Sequence, residues 1–190
     1  MGIRHKLHVK QASLLFCLLV LTLLLAACGG SGRSTPTGKT YNGDSYQFTY
    51  PQDWTYKTNP GMKISKSTEV LFTSKSDPTV TFDITDTTPI PGMSPDNFIT
   101  SGLDYFKATC QGYQQDSTVP STASVGGTTW KQIGGTGDRN GQHLNGVSLA
   151  VQYPASTGKV FTIIQTAKAD SYGQVYNTVF KPVLESFKFT

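Results

Sequence analysis

Tyr46-Gln47-Phe48-Thr49-Tyr50-Pro51-Gln52-Asp53-Trp54 alternates aromatic and polar residues and then meets a proline. Successive side chains of a strand point to opposite faces, so Tyr46, Phe48 and Tyr50 make one apolar face and Gln47 and Thr49 the other. The pattern predicts a half-buried strand from Tyr46 to Tyr50. Pro51 has no N–H to give to a ladder and is expected to end it. Trp54 is expected to turn back over the sheet end as part of the core, because large aromatics dominate burial energetics.

Downstream, Glu69 to Thr73 and Thr79 to Thr85 also read as strands, the second alternating through Val80, Phe82 and Ile84. Ser76-Asp77-Pro78 between them is turn chemistry and predicts a hairpin. A helix follows. Ser94 suits the N-cap, Pro95 the first helical position and Asp96 the positive helix end. Ile99, Leu103, Phe106 and Cys110 then form an apolar stripe, flanked by Phe98, and Gly112 is placed to close the helix in the left-handed conformation. Strands return at Thr128 to Gly134 and through Val147, Leu149, Val151 and Tyr153. Lys159 to Lys168 is apolar on both faces near Phe161, Ile163 and Ile164, which predicts a central strand covered on each side. Asp170 or Ser171 caps a last helix with Tyr172, Tyr176, Val179 and Val183 on one stripe, shortened or kinked at Pro182. Phe187-Lys188-Phe189 ends the chain as a short strand. Strands, a helix, strands and a helix make an α+β domain with a mostly antiparallel central sheet flanked by helices.

The run Tyr46 to Trp54, an aromatic strand stopping at Tyr-Pro with a tryptophan three residues later, resembles the opening of PsbP-like domains. Leu184-Glu185-Ser186-Phe187-Lys188-Phe189 after a helix looks like their usual ending. By order of elements the resemblance covers residues 41–190. It implies a compact sheet with flanking helices and a binding or assembly role. The best-known members dock on the oxygen-evolving photosystem and help it retain inorganic cofactors; other proteins of this fold, bacterial lipoproteins among them, are binding or assembly factors. Nothing else in the chain points to photosynthesis.

Upstream lies a targeting segment. Arg4, Lys6 and Lys10 precede an apolar run from Ala12 to Ala27, and small residues lead to Cys28. That is the layout of a secretory signal. The run is short of the roughly 18 to 20 residues that cross a bilayer, and no aromatic belt follows it. Leu25-Ala26-Ala27-Cys28 resembles the lipobox of bacterial lipoproteins, which implies a diacylglyceryl thioether on Cys28 and removal of residues 1–27. The expected location is the extracytoplasmic face of the cell membrane. Residues 28–40, rich in Gly, Ser and Thr, read as a flexible tether, with a root-mean-square span of roughly 20 Å for a dozen such residues.

Removal of the signal changes the charge. The whole chain has 16 basic and 12 acidic residues; with Arg4, Lys6 and Lys10 gone, the net charge falls from +4 to +1. No basic stripe survives, so nucleic acid is not an expected partner. Cys17 leaves with the signal, and an acylated Cys28 leaves Cys110 without an intramolecular partner, so no disulfide framework is expected.

The residues that could carry chemistry are few. His143, the single histidine of the mature part, adjoins the turn signal Asn140-Gly141 and reads as a solvated loop residue. Cys110 could pair with it as a nucleophile, but its place on an apolar stripe reads as core. No Gly-x-Ser-x-Gly elbow is present. Asp83 and Asp86 lack the oxygen count of a calcium site, and Asp138-Arg139-Asn140-Gly141 is too short for a calcium loop, which leaves only weak surface calcium open. One histidine and one free cysteine do not make a zinc site. Gly134-Gly135-Thr136-Gly137 lacks the lysine and helix of a phosphate loop and reads as a flexible hairpin loop. The expected function is therefore a lipid-anchored, non-catalytic module without cofactor, acting on a protein partner at the membrane. The alternatives are a small-ligand module with an aromatic-lined pocket and, behind it, a hydrolase using Cys110 or a serine.

Overall fold

The computed structural model describes residues 38–60, 67–89, 94–155 and 158–190. The expected signal peptide, Cys28 and the first part of the expected tether lie outside these residues. Tyr46, Phe48 and Tyr50 are buried as their alternation requires, in strand β2 (Tyr46–Pro51). This strand lies between β1 (Gly38–Asn42) and β11 (Lys188–Phe189) in a three-stranded antiparallel sheet.

Pro51 is the last residue of β2, opposite Gly38, and ends the strand as expected. One expectation is corrected here. The tether, expected to run to Thr40, gives Gly38–Thr40 to β1. The reason is Tyr41, whose ring lies 5.7 Å from Phe48 and 5.4 Å from Phe72. Burying that ring draws the residues before it into register with β2, whatever their composition.

The larger sheet comprises β3 (Trp54–Pro60), β4 (Thr68–Ser74), β5 (Thr81–Thr87), β6 (Gln111–Asp116), β7 (Thr122–Val125), β8 (Thr128–Arg139), β9 (Gln142–Tyr153) and β10 (Lys159–Lys168). Its order is β3-β4-β5-β10-β9-β8-β6, with β7 also paired to β8, and every pairing is antiparallel. β10 sits in the middle and is buried on both faces, as its doubly apolar sequence predicts. The β4–β5 turn is held by Asp77, whose Oδ1 accepts from the Thr79 N–H at 3.0 Å and hydroxyl at 2.7 Å. Asn140 and Gly141 turn β8 into β9 with φ of 52° and 74°, both left-handed, as a two-residue hairpin of this sequence requires. β3, β6 and β7 carry no clean alternation and are not foreseen by the sequence pattern.

The main core fills the space between the two sheets. Phe48 meets Phe72 at 5.2 Å and Phe82 at 5.4 Å, and Tyr46 stacks on Phe187 at 5.6 Å. Trp54 is 4% exposed and meets Phe180 edge-on at 6.5 Å, so it is core as expected. The C-terminal helix begins as α2 (Tyr172–Val175), passes through a π-helical turn (Tyr176–Phe180) and continues as α3 (Lys181–Ser186). Pro182 stands in the first turn of α3, where a missing N–H is tolerated, so it resets the helix at the π turn without ending it. Ser171 takes the cap position, but its hydroxyl donates to the Lys168 carbonyl.

The opposite face of the large sheet carries α1 (Pro95–Thr109), which packs on β8, β9 and β10. Ser94 caps it: the Asn97 Oδ1 accepts from the Ser94 N–H at 3.0 Å and hydroxyl at 2.6 Å. Ile99, Phe106 and Cys110 of the expected stripe are buried. The helix ends at Thr109, and Cys110 is already extended. Gly112 does not close the helix; it has φ of 61° inside β6, where the register against β8 is irregular. Gly134–Gly137 is likewise no loop but the middle of β8. A methyl group on Gly135 would come within 2.5 Å of the Tyr113 ring, and one on Gly137 within 2.8 Å of the Cys110 Cβ. These glycines let side chains lie directly on the strand backbone.

Candidate functional site

The helix covers only one side of its sheet face. Beyond it, β4, β5 and β10 present their outward residues, and register fixes how these line up. Thr73, Thr81 and Thr166 form one row; Leu71, Asp83, Ile164 and Ser148 the next; Glu69, Thr85 and Thr162 a third. Phe98, Ser101, Gly102 and Phe106 of α1 form the facing wall of a groove of about 550 Å³, with Arg139 also lining it. A methyl group on Gly102 would meet the Ser148 hydroxyl at 2.6 Å, so that glycine sets how closely the helix sits on the sheet.

The groove floor is polar where a helix-covered sheet face is ordinarily apolar. Thr162 and Thr166, 8% and 4% exposed, lie on this floor. Asp83 sits between Leu71 and Ile164 and hydrogen-bonds Glu69 on the neighbouring strand, yet its Oδ1 is buried with no partner. Burial, with the negative charge of Glu69 and the hydrogen bond between them behind it, pushes the Asp83 carboxyl up to about 8. Asp83 therefore keeps its proton at neutral pH. Glu69 also accepts from the Asn59 amide at 3.3 Å. Arg139 forms no ion pair among the described residues and is half-buried beside the groove. At the near end, Lys131 on β8 binds Asp96 at the start of α1 at 2.6 Å, an exposed pair of little energetic weight.

The chemistry-bearing residues foreseen from sequence do not meet there. His143 and Asp138 face each other across the β8–β9 hairpin, Nδ1 to Oδ1 at 2.7 Å, with both side chains more than half exposed. Cys110 is buried with Phe106 and Leu144, and Leu144 and His143 point to opposite faces of β9. A Cys110–His143 couple is therefore excluded by the pleat. Asp83 and Asp86 separate for the same reason. Asp86 turns to the other side of β5, is 4% exposed at its side chain, holds Lys159 at 2.8 Å and accepts the Thr68 N–H at 3.1 Å. That pair is structural. The Asp83–Glu69 pair was not foreseen, because it joins different strands; the one trace of it is a carboxylate in the middle of Thr81-Phe82-Asp83-Ile84-Thr85. The aromatics of the expected pocket fill the core between the sheets, and only Phe98 and Phe106 reach the groove. Among the described residues no three His, Cys, Asp or Glu side chains gather as metal ligands, and no helix is long and apolar enough to cross a membrane.

No protein-family model and no curated protein sequence matches the chain. Solved structures do. Cyanobacterial PsbP (CyanoP) from Synechocystis superposes with a TM-score of 0.56 at 15% identity, over 86% of this chain and 99% of that one. A crystal structure from Bacteroides thetaiotaomicron gives 0.51 at 13% identity, over 80% of this chain and 48% of that one. LpqN of Mycobacterium tuberculosis, involved in cell envelope biogenesis, gives 0.48 at 21% identity, over 81% of this chain and 86% of that one. At such identities the likeness to CyanoP is one of architecture and carries no residue's role across. The two motifs that suggested it from sequence, the strand ending at Pro51 and the helix running into β11, occupy the positions that complete the core. The fold is PsbP-like, α+β, with a mostly antiparallel sheet.

Proposed function

We propose that this chain is a lipid-anchored, non-catalytic binding module on the extracytoplasmic face of the cell membrane, and that the groove beside α1 is its binding site. The observation that carries the reading is a pair of neighbouring carboxyls, Asp83 and Glu69, on the floor of the groove, with Asp83 Oδ1 buried and without a partner among the described residues. Buried polar groups are almost always paired, and a lone one calls for an explanation such as a ligand that completes it. The volume, about 550 Å³, falls in the range of small-molecule sites, roughly 300–1,000 Å³. The non-catalytic reading is supported by the separation of His143 from Cys110 on opposite sides of β9.

Equilibrium dialysis of the protein against a small-molecule extract of its own cells, read by mass spectrometry, tests the groove. Wild type should retain components that Ser101→Trp, which plugs the groove from the exposed side of α1, does not. Identical retention by both proteins removes the groove from consideration. The anchor is tested separately. Fatty-acid labelling should mark the wild type and not Cys28→Ser, since two or three acyl chains hold firmly where one is marginal; an unlabelled wild type overturns it.

A protein partner is the second reading, favoured by the outer edge of β3. That strand ends the large sheet with one side unpaired among the described residues and exposes Tyr56 at 47%. Such an edge accepts an added strand from another chain. Proline at Lys57 should then abolish partner recovery from membranes while leaving the groove ligand bound.

A further inference from the structure

The rows of the groove floor say which chemical group the site suits. Glu69, Thr85 and Thr162 stand side by side in one row, and Asp83 lies one step along the next, diagonal to Glu69. The Asp83 and Glu69 carboxyls and the Thr85 and Thr162 side chains all line the groove at that junction, so a group resting there is offered acceptors from neighbouring strands. We propose, building on the binding role of the groove, that this junction takes a primary ammonium group and that the site binds small organic amines, their apolar bodies lying between Phe98 and the Leu71–Ile164 row. Its N–H donors answer those acceptors, and hydrogen bonds between an ion and a carboxylate are among the strong ones.

Other occupants satisfy the junction less well. A hard divalent cation wants about six or more oxygens, and two carboxyls with neutral hydroxyls fall short. An anion would face the carboxyl pair. Among the described residues no cation already fills the role. Lys57 on β3 is in the row of Leu71 but makes no ion pair with Glu69; Arg139 lies on β8 beyond the Thr166 row; Lys131 is engaged with Asp96, and Lys107 with Asp104. β10 offers only Thr162, Ile164 and Thr166. The ammonium takes the place of the proton that Asp83 holds, and that proton passes to the solvent. Amine affinity therefore rises with pH through the range in which Asp83 titrates, about 8, and levels off above it while the amine itself stays charged.

Calorimetry on the full mature protein with 2-phenylethylamine, 2-phenylethanol and calcium chloride as probes decides the matter. The amine should bind at least tenfold more tightly than the alcohol at pH 8, release protons to the buffer and lose at least tenfold in affinity at pH 6. Asp83→Asn and Glu69→Gln should each bring amine and alcohol to the same level, with melting temperatures no lower than wild type for Asp83→Asn. Equal binding of both probes, lost in Ser101→Trp, overturns the amine assignment and keeps the groove. Binding of neither probe overturns both readings. Calcium binding that Asp83→Asn removes, without amine binding, makes the junction a metal site and overturns the proposal.

Discussion

Removing Trp54 measures how far the domain depends on the closing of its two sheets over one core. The indole is 4% exposed, starts the edge strand β3 opposite Ser74 and meets Phe180 of the π turn edge-on at 6.5 Å. Trp54→Ala withdraws roughly 200 Å² of buried aromatic surface, worth about 5 kcal/mol at about 25 cal/mol per Å². β3 is an edge strand and relaxes partly into the gap, so the expected loss is about 4 kcal/mol, inside the usual ~3–5 kcal/mol for such truncations. That is a large share of the roughly 5–15 kcal/mol of a typical domain. In urea, with a slope of about 2 kcal/mol per M, the midpoint should fall by about 2 M, followed by far-ultraviolet circular dichroism so that loss of the indole does not disturb the signal. Trp54→Phe keeps the edge-on contact and should recover about half of the loss. A midpoint within about 0.5 M of wild type for the alanine variant would show that Trp54 does not hold β3 and the C-terminal helix together, and the core described here would be wrong at that end.

Cys110, 8% exposed beneath α1, should react with thiol reagents slowly in the native protein and fast in urea; rapid native labelling would place it on the surface. Stability should fall as pH rises from about 4 toward 8, because over that range native Asp83 keeps a proton that the unfolded chain has released, and Asp83→Asn should remove most of that slope. An unchanged slope in the variant would mean that the carboxyl is solvated. Below about 4 the sign reverses through Asp77, whose carboxyl the Thr79 hydroxyl and N–H hold below its usual value, so stability is lost again as that group is protonated. Gly146→Val should cost about 1–3 kcal/mol by driving a side chain into the Phe106 ring, 2.9 Å from where its Cβ would stand, whereas Gly173→Ala in α2 meets nothing within 4 Å and should gain up to about 1 kcal/mol. Reversed signs in urea titrations of the two would refute the seating of α1.

The strands that sequence disclosed are those with one face against the main core. Tyr46-Phe48-Tyr50 and Val80-Phe82-Ile84 each give the period of two to a single buried side, Val147-Leu149-Val151 keeps that period although Ser148 and Ala150 are buried on the other face, and Asn140-Gly141 names its own turn. β3, β6 and β7 escaped because they lie at or near sheet edges, where no face must be apolar: β3 has one buried position at Trp54 and is otherwise solvated. Gly134–Gly137 misled for a different reason. Glycine marks both loops and close approach, and only the placement of Tyr113 and Cys110 over β8 tells them apart. The candidate site was illegible because it depends on register between β4, β5 and β10. Glu69 and Asp83 are separated in sequence by a whole hairpin, and threonine in a strand reads as ordinary β propensity until register sets it beside a carboxyl.

The small sheet joins the two ends of the described chain: Lys188 pairs with Gln47 and Phe189 with Tyr46, while the Thr190 N–H donates to the Ser45 carbonyl at 3.1 Å. Phe187 and Phe189 insert among Tyr46, Trp130, Tyr153 and Phe161, residues far from them in sequence. Pairings this distant in sequence are slow to form, since the closure of a long loop comes before any contact that rewards it. The core therefore stays unfinished until β11 has paired with β2, and a cut that frees Phe187 to Phe189 would open the aromatic cluster at its centre instead of trimming an edge.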